Sequence, residues 1–469
     1  MKNKRLFCMI VLTLWVIQSL AVPVLASSAV EQGSMTLDGQ VSVYGDGKLL
    51  DTAKSVILYE METGTLVYSW DADLRIDPSG MNKIMTAMLA IELGDPDTIV
   101  TVERAALDSV GIGSVSAGLK AGEEMSLRDL LYCMMVGSAN DAAAVIAQHI
   151  GSDQERFVQL MNQKAQELGC TDTNFMNANG LSHEQQYTTA RDLAKITLEA
   201  IQDPLFVELF GAVSYTVPAT NRSDARELVT TNYLMLPDKK QYDQRVIGGK
   251  TGALSTTDRS LICTAEVDGL RYLSVVMSAQ GTVTANGLAV KTFGSFEETG
   301  KLLDHGFDNY SIRQLLYEDQ VMEQFQVTGG ENDVIGRPAQ DLMVVLPKDI
   351  VSLDVSYQFV TSPEGLTAPI LSGGKIGTIE VWFRGKCVGS CDLVAMHDVD
   401  QPGVDNISLI PTAEAVAQRT WTTWLLLIGI VIFGALLIFI VVLIVMRRIR
   451  LAKIERRHKI IRGETGGKQ

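Results

Sequence analysis

Residues 424–446 contain no charged side chain and are long enough to cross a bilayer as a helix. This run constrains the chain most, because it ties one end of whatever folds to a membrane. Trp421 and Trp424 stand at its start, where interfacial aromatics belong, so the span is placed at 421–446. A basic tail, 447–469, follows with Arg447, Arg448, Arg450, Lys453, Arg456, Arg457, Lys459, Arg462 and Lys468. The positive-inside rule makes that tail cytoplasmic. At the other end, Lys2, Lys4 and Arg5 precede an apolar run from Leu6 to about Leu25, with Val24 and Ala26 before a cleavage position. Residues 1–26 therefore read as a secretory signal peptide, with an uncleaved anchor as the alternative. Both ends imply a body outside the cell membrane.

Charge divides the chain in the same way. The whole chain carries −15; without the seven net positive charges after Met446 and the three at the start, the body carries −25. An acidic body is a poor nucleic-acid binder, and no nucleic-acid partner is expected. Of six cysteines, Cys8 leaves with the signal, and Cys133, Cys170, Cys263, Cys387 and Cys391 remain. An odd number is no complete disulfide set. Cys133 and Cys263 lie in apolar runs and read as core; Cys387 and Cys391 are close enough in sequence to pair if the local geometry allows. No metal-ligand spacing and no cofactor motif appear.

Residues 27–50 read as a polar linker. Apolar stretches at 55–60 and 66–70 around Gly64 predict a β-hairpin. Met81, Ile84, Met85, Met88, Leu89 and Leu93 predict a helix over 81–93, and further helices are expected at 127–137, 141–150, 155–168 and 189–200. Strands are expected at 245–247, 261–267 and 271–278, then a closing helix at 290–307. That order predicts an α+β domain over 51–310, a sheet with a helical block. Short apolar runs between turns predict a small all-β domain over 311–400, joined to the span by 401–420.

Three triplets carry the chemistry. Lys83 ends the segment Pro78-Ser79-Gly80-Met81-Asn82-Lys83; Ser138-Ala139-Asn140 lies before Asp141; Lys250-Thr251-Gly252 follows. Each alone is weak, and each has a bland reading: Lys83 as a buried lysine held by Ser138 and Asn140, Ser138 as a helix N-cap, Lys250 as a solvated strand residue. Together, in this order, they resemble the three motifs of penicillin-interacting serine enzymes. Gly113-Ser114, Asn177, Gly180-Leu181, Tyr187-Thr188-Thr189-Ala190 and Thr231-Asn232-Tyr233-Leu234 extend the likeness over about 50–310, and Ala368-Pro369-Ile370 and Asp392-Leu393-Val394-Ala395 carry it into the β-domain. The chain resembles serine D-alanyl-D-alanine carboxypeptidases, the low-molecular-mass penicillin-binding proteins, of Gram-positive type.

That resemblance implies a penicillin-binding-protein/β-lactamase-like domain and peptidoglycan stem peptides ending in D-Ala-D-Ala as partner. It makes Lys83 the base, Ser138 and Asn140 the proton-relay and amide-holding groups, and Lys250 and Thr251 the receivers of the terminal carboxylate. Gly252 would let the strand approach a ligand closely. The nucleophile position, three residues before the lysine, is Gly80. Without a side chain there, the expectation is a catalytically impaired or purely binding homologue. The alternative is an active carboxypeptidase using Ser79, which β-lactams would then acylate. On a helix, however, Ser79 would point about 100° away from position 80. Ala253-Leu254 and Thr257-Asp258 replace the family's usual Tyr-Thr and Ala-Gly, and Gln186 stands where a histidine is frequent.

Overall fold

A computed structural model describes residue 37 and residues 47–402, apart from 112–113, 286–288, 351–353 and 363. The expected signal peptide, membrane span and basic tail lie outside the described residues. Among those described, no helix is long and apolar enough to cross a membrane.

The expected hairpin forms from β1 (Ser55–Glu60) and β2 (Thr65–Trp70). β1 also pairs with a strand more than two hundred residues later, and this long-range pairing builds the central sheet. Its remaining strands are β3 (Val246–Ala253), β4 (Asp258–Val267) and β5 (Leu270–Gln280). All neighbours run antiparallel in the order β2-β1-β5-β4-β3, which leaves β3 at an edge. Alternation along the strands splits their side chains between two cores. Ile57, Ile262, Leu273 and Val275 face the helical block, whereas Val56, Leu58, Leu261 and Val276 face the other way.

The helical block comprises α1 (Asn82–Leu93), α2 (Leu127–Met135), α3 (Asn140–Gly151), α4 (Gln154–Glu167), α5 (Ala190–Ala200) and α6 (Pro204–Gly211). Helix α1 is the hub: every residue from Asn82 to Ala90 is buried. The stripe read from its apolar spacing is thus too narrow, because helices pack around it on all sides. Side-chain caps start the outer helices, with Ser126 accepting from Asp129, Asp153 from Arg156, Thr189 from Asp192 and Asp203 from Leu205. Each is worth about 1 kcal/mol.

The closing helix, α7, begins later than expected, at Gly294–Asn309. Val290–Thr292 is instead a short strand paired with Thr282–Val283, as its β-branched residues favour. After α7 the chain enters β6 (Tyr310–Leu316), which pairs with β8 (Leu342–Pro347). A second sheet follows, with β7 (Val334–Pro338), β9 (Val355–Thr361), β10 (Lys375–Phe383) and β11 (Lys386–Ala395) in the order β7-β11-β10-β9, and the two-residue strand Gln324–Phe325 on the outer side of β7. Its buried Ile379, Val381 and Leu393 share one core with Leu58 and Tyr272 of the central sheet.

Among the described residues the five cysteines form no disulfide. Cys387 and Cys391 do not pair, because both lie on β11, where four residues of extended chain span roughly 13 Å, twice the reach of a disulfide. Burial pushes the thiols of Cys133 and Cys263 up to about 12, as befits core residues.

Candidate active site

All three triplets converge where the start of α1, the start of α3 and edge strand β3 meet. Lys83, in the first turn of α1, is almost wholly buried, and its Nζ donates to Asn140 Oδ1 (2.7 Å) and to the carbonyl of Asn179. Lys250 Nζ, equally buried, donates to Ser138 Oγ (2.9 Å) and to the carbonyl of Thr251 (3.3 Å). Thr251 Oγ1 lies 2.6 Å from Thr231 Oγ1. The bland readings therefore differ from the structure. Lys83 is held by Asn140 and Asn179 rather than by Ser138, and Lys250 is not solvated. The N-cap of α3 is Ala139, and Ser138 adopts a left-handed φ of 56° that turns its hydroxyl to Lys250.

Desolvation dominates the electrostatics. It drives the Lys83 ammonium well below the usual lysine range, the neighbouring Lys250 charge adds to this, and only Asp141 opposes it. Burial likewise brings Lys250 down to about 7. Lowering a lysine's pKa by burial moves it towards the range in which it can accept a proton, which is the property a general base needs.

Nothing stands where such a base would act. Gly80 lies in a tight 3-10 turn, Ser79–Met81, ahead of α1. A Cβ at position 80 would sit 3.8 Å from Ser138 Oγ, 3.0 Å from the Thr251 carbonyl and 3.7 Å from the Gly252 Cα. A side chain there would emerge between the second and third triplets. Ser79 is the neighbouring hydroxyl in the same turn. Its Oγ is buried with no hydrogen-bond partner, and its φ is 47°, a costly conformation for a residue other than glycine. The turn, rather than the helical rotation anticipated from sequence, sets its direction.

Gly252 has a role the sequence did not suggest. A Cβ there would lie 2.5 Å from Ser79 Oγ and 3.1 Å from the Pro78 carbonyl, so the 78–79 turn fills the space assigned to a ligand. Gly180, at φ 80°, is equally constrained, since its Cβ would fall on the Ser79 carbonyl.

Three supporting groups received no role from the sequence reading, which named Asp141 and Gln186 only as neighbours of the motifs and passed over Asn179. Asn179 contributes a backbone carbonyl, which carries no residue signature. Asp141 accepts from Ser116 Oγ, Ala117 N and Leu119 N, pinning a loop whose Val115 carbonyl receives Asn140 N. Gln186 bridges Asn82 and Asp77, linking α1 to the turn that carries Ser79. The Asn-Ala-Asn-Gly run at 177–180 was the signal for the first, since asparagines and glycine mark a tight turn.

Comparison with known proteins agrees with this geometry. A family model described as D-alanyl-D-alanine carboxypeptidase matches residues 48–281, and one described as penicillin-binding protein 5, C-terminal domain, matches residues 310–401. The chain is 31% identical over 360 residues to the D-alanyl-D-alanine carboxypeptidase DacD of Escherichia coli, covering 74% of this chain and 87% of that one. It is 28% identical to the D-alanyl-D-alanine carboxypeptidase DacF of Bacillus subtilis over 369 residues, 76% of this chain and 90% of that one. The solved structure of penicillin binding protein 5 from Haemophilus influenzae superposes with a TM-score of 0.61 at 27% identity, covering 76% of this chain and all of that one. The chain belongs to the D-alanyl-D-alanine carboxypeptidase family, the low-molecular-mass penicillin-binding proteins.

Proposed function

We propose that this chain binds peptidoglycan stem peptides ending in D-Ala-D-Ala and hydrolyses them slowly or not at all. The observation that carries the reading is Gly80. The cleft keeps Lys83 bonded to Asn140, and Lys250 bonded to Ser138 and Thr251, on either side of position 80, yet the point on which they converge has no side chain. A catalytic unit that loses its nucleophile loses most of its rate, while binding groups remain. The peptide would lie along β3, with Thr251 offering a hydroxyl to its carboxylate and Asn140 holding an amide. The body would stand outside the cell membrane, anchored by the expected span at 421–446, where it could sense wall precursor or scaffold other wall enzymes.

A second reading keeps the enzyme active through Ser79. The observation favouring it is that Ser79 Oγ is unpartnered and lies beside Gly252. One experiment separates the two: intact mass of the purified chain after incubation with a β-lactam, beside Gly80→Ser. Binding without hydrolysis gives an adduct on Gly80→Ser alone. An adduct on the unaltered chain that maps to Ser79 refutes it.

A further inference from the structure

The second sheet has two unlike edges. On one side the strand Gln324–Phe325 covers β7. On the other, β9 pairs only with β10, over all seven of its residues and without a bulge. Among the described residues no other backbone group bonds to it. Alternate N–H and C=O groups along β9 therefore point outwards. Such an edge invites a further strand, and proteins commonly blunt it with lysine, proline or a bulge. β9 has none of these: Val-Ser-Tyr-Gln-Phe-Val-Thr carries no charge and no proline, in a body that is strongly acidic. Ser356, Tyr357, Gln358 and Val360 are exposed, Val360 by 50%.

The order of residues in β9 suits a second copy of the same strand. Two identical strands paired antiparallel are related by a two-fold axis, so the contact closes at two copies. Residues directly opposed in such a pair are of one hydrogen-bonding type, so the axis passes through a residue, and only an axis through Gln358 pairs all seven. Gln358 then meets its own counterpart, and the two side-chain amides can each donate and accept. Ser356 meets Val360, Val355 meets Thr361, and Tyr357 meets Phe359. The last match occurs twice and gives two cross-strand aromatic pairs.

The surroundings of the strand agree. Tyr357 and Phe359 lie opposite buried Val381 and Ile379 of β10, on the core side of the sheet, and Phe359 meets Phe325 edge-on at 5.6 Å. Pairing would carry that apolar layer across the axis. No like charges oppose each other. Asp354, the nearest charge along the chain, is bonded to Arg384 at 3.0 Å and would face Ser362. Glu380, beside Gln358 on β10, would lie three strand spacings from its counterpart, about 14 Å, beyond the screening length at physiological salt.

We propose that β9 is an interaction surface that joins two copies of this chain edge to edge, so that one assembly carries two clefts. The ladder is short against a standard interface, which makes the dimer weak and reversible. The acidic bodies repel one another, so the contact tightens as salt screens them.

Sedimentation of the full chain in detergent over a range of concentrations tests this. The expected result is a reversible monomer–dimer equilibrium, tighter at about 0.5 M than at about 0.05 M salt. Gln358→Glu sets two carboxylates on the axis beside the two Glu380 side chains and weakens the dimer about fivefold or more. Under mild oxidation Gln358→Cys links to itself, since opposed Cα atoms stand about 5 Å apart, within disulfide reach. Ser356→Cys does not, because its counterpart lies about 14 Å away, yet it links to Val360→Cys in a mixture of the two. A chain that stays monomeric at every concentration overturns the proposal and leaves the edge to a different partner. So does a dimer that Gln358→Glu leaves unchanged, which another surface or the expected membrane span then holds. Self-linking of Ser356→Cys with none of Gln358→Cys refutes the two-fold register, and the contact with it. Association that weakens as salt rises also overturns it, because opposite charges would then hold the copies together.

Discussion

Replacing Lys250 by methionine should stabilise this protein at neutral pH. The lysine falls from its ordinary 10.5 to about 7 on burial. At about 1.4 kcal/mol per pH unit, the folded state forgoes roughly 5 kcal/mol relative to leaving the ammonium in water. Two hydrogen bonds, to Ser138 and Thr251, return about 1 kcal/mol each and are lost with the ammonium. Methionine has similar length and no charge to desolvate. Lys250→Met should therefore gain about 2–3 kcal/mol at pH 7, or somewhat more because Lys83 is freed from a neighbouring charge. The sign with pH follows from the lowered value. Between about 7 and 10.5 the unfolded lysine holds a proton that the folded one has released, so the unaltered chain gains stability as pH rises. The penalty is fully present below 7 and fades towards 10.5. Urea unfolding of both proteins at pH 7 and pH 10 measures it, and differences between the two cancel every other titration. The gain should shrink or reverse at pH 10. A variant less stable at pH 7, by an amount that does not change with pH, would refute the argument that Lys250 is buried at a cost.

Other outcomes follow from the same geometry. Glu123→Gln should destabilise by about 3 kcal/mol in urea, because it leaves the half-buried Arg226 guanidinium without its charge partner, the buried Glu123. Gly180→Ala should cost at least that much or abolish folding, read by circular dichroism, since its Cβ would meet the Ser79 carbonyl at 1.8 Å with φ at 80°. Peptide mapping without reductant should find Cys387 and Cys391 unlinked, and a thiol reagent should count all five body cysteines only after unfolding.

The sequence carried the site further than the fold. Lys83, Ser138 and Lys250 were legible because their order and spacing are fixed by three rigid elements that must meet. The residues that tie them together were not. Asn179 acts through a carbonyl, Asp141 through three bonds to a loop twenty-odd residues upstream, and Ser138 through a left-handed backbone that no propensity scale records. Apart from the closing helix, which begins four residues later than read, helices read from apolar spacing appeared within a residue or two, because burial on one face writes that period. Helix α6 went unread because it is short, and the hairpin of Ser214–Val217 with Arg226–Val229 because its buried positions are few. The direction of Ser79 was reasoned from a helix, whereas Ser79 lies in a tighter turn ahead of α1.

The central claim is that an intact peptide-binding cleft lacks only its nucleophile. The most direct test is the intact mass of the unaltered chain and of Gly80→Ser after exposure to a β-lactam. The account predicts no adduct on the unaltered chain and one acyl adduct on Gly80→Ser, at residue 80. An adduct on the unaltered chain, or none on either, would contradict it: the first reveals a surviving nucleophile, the second a site decayed beyond position 80.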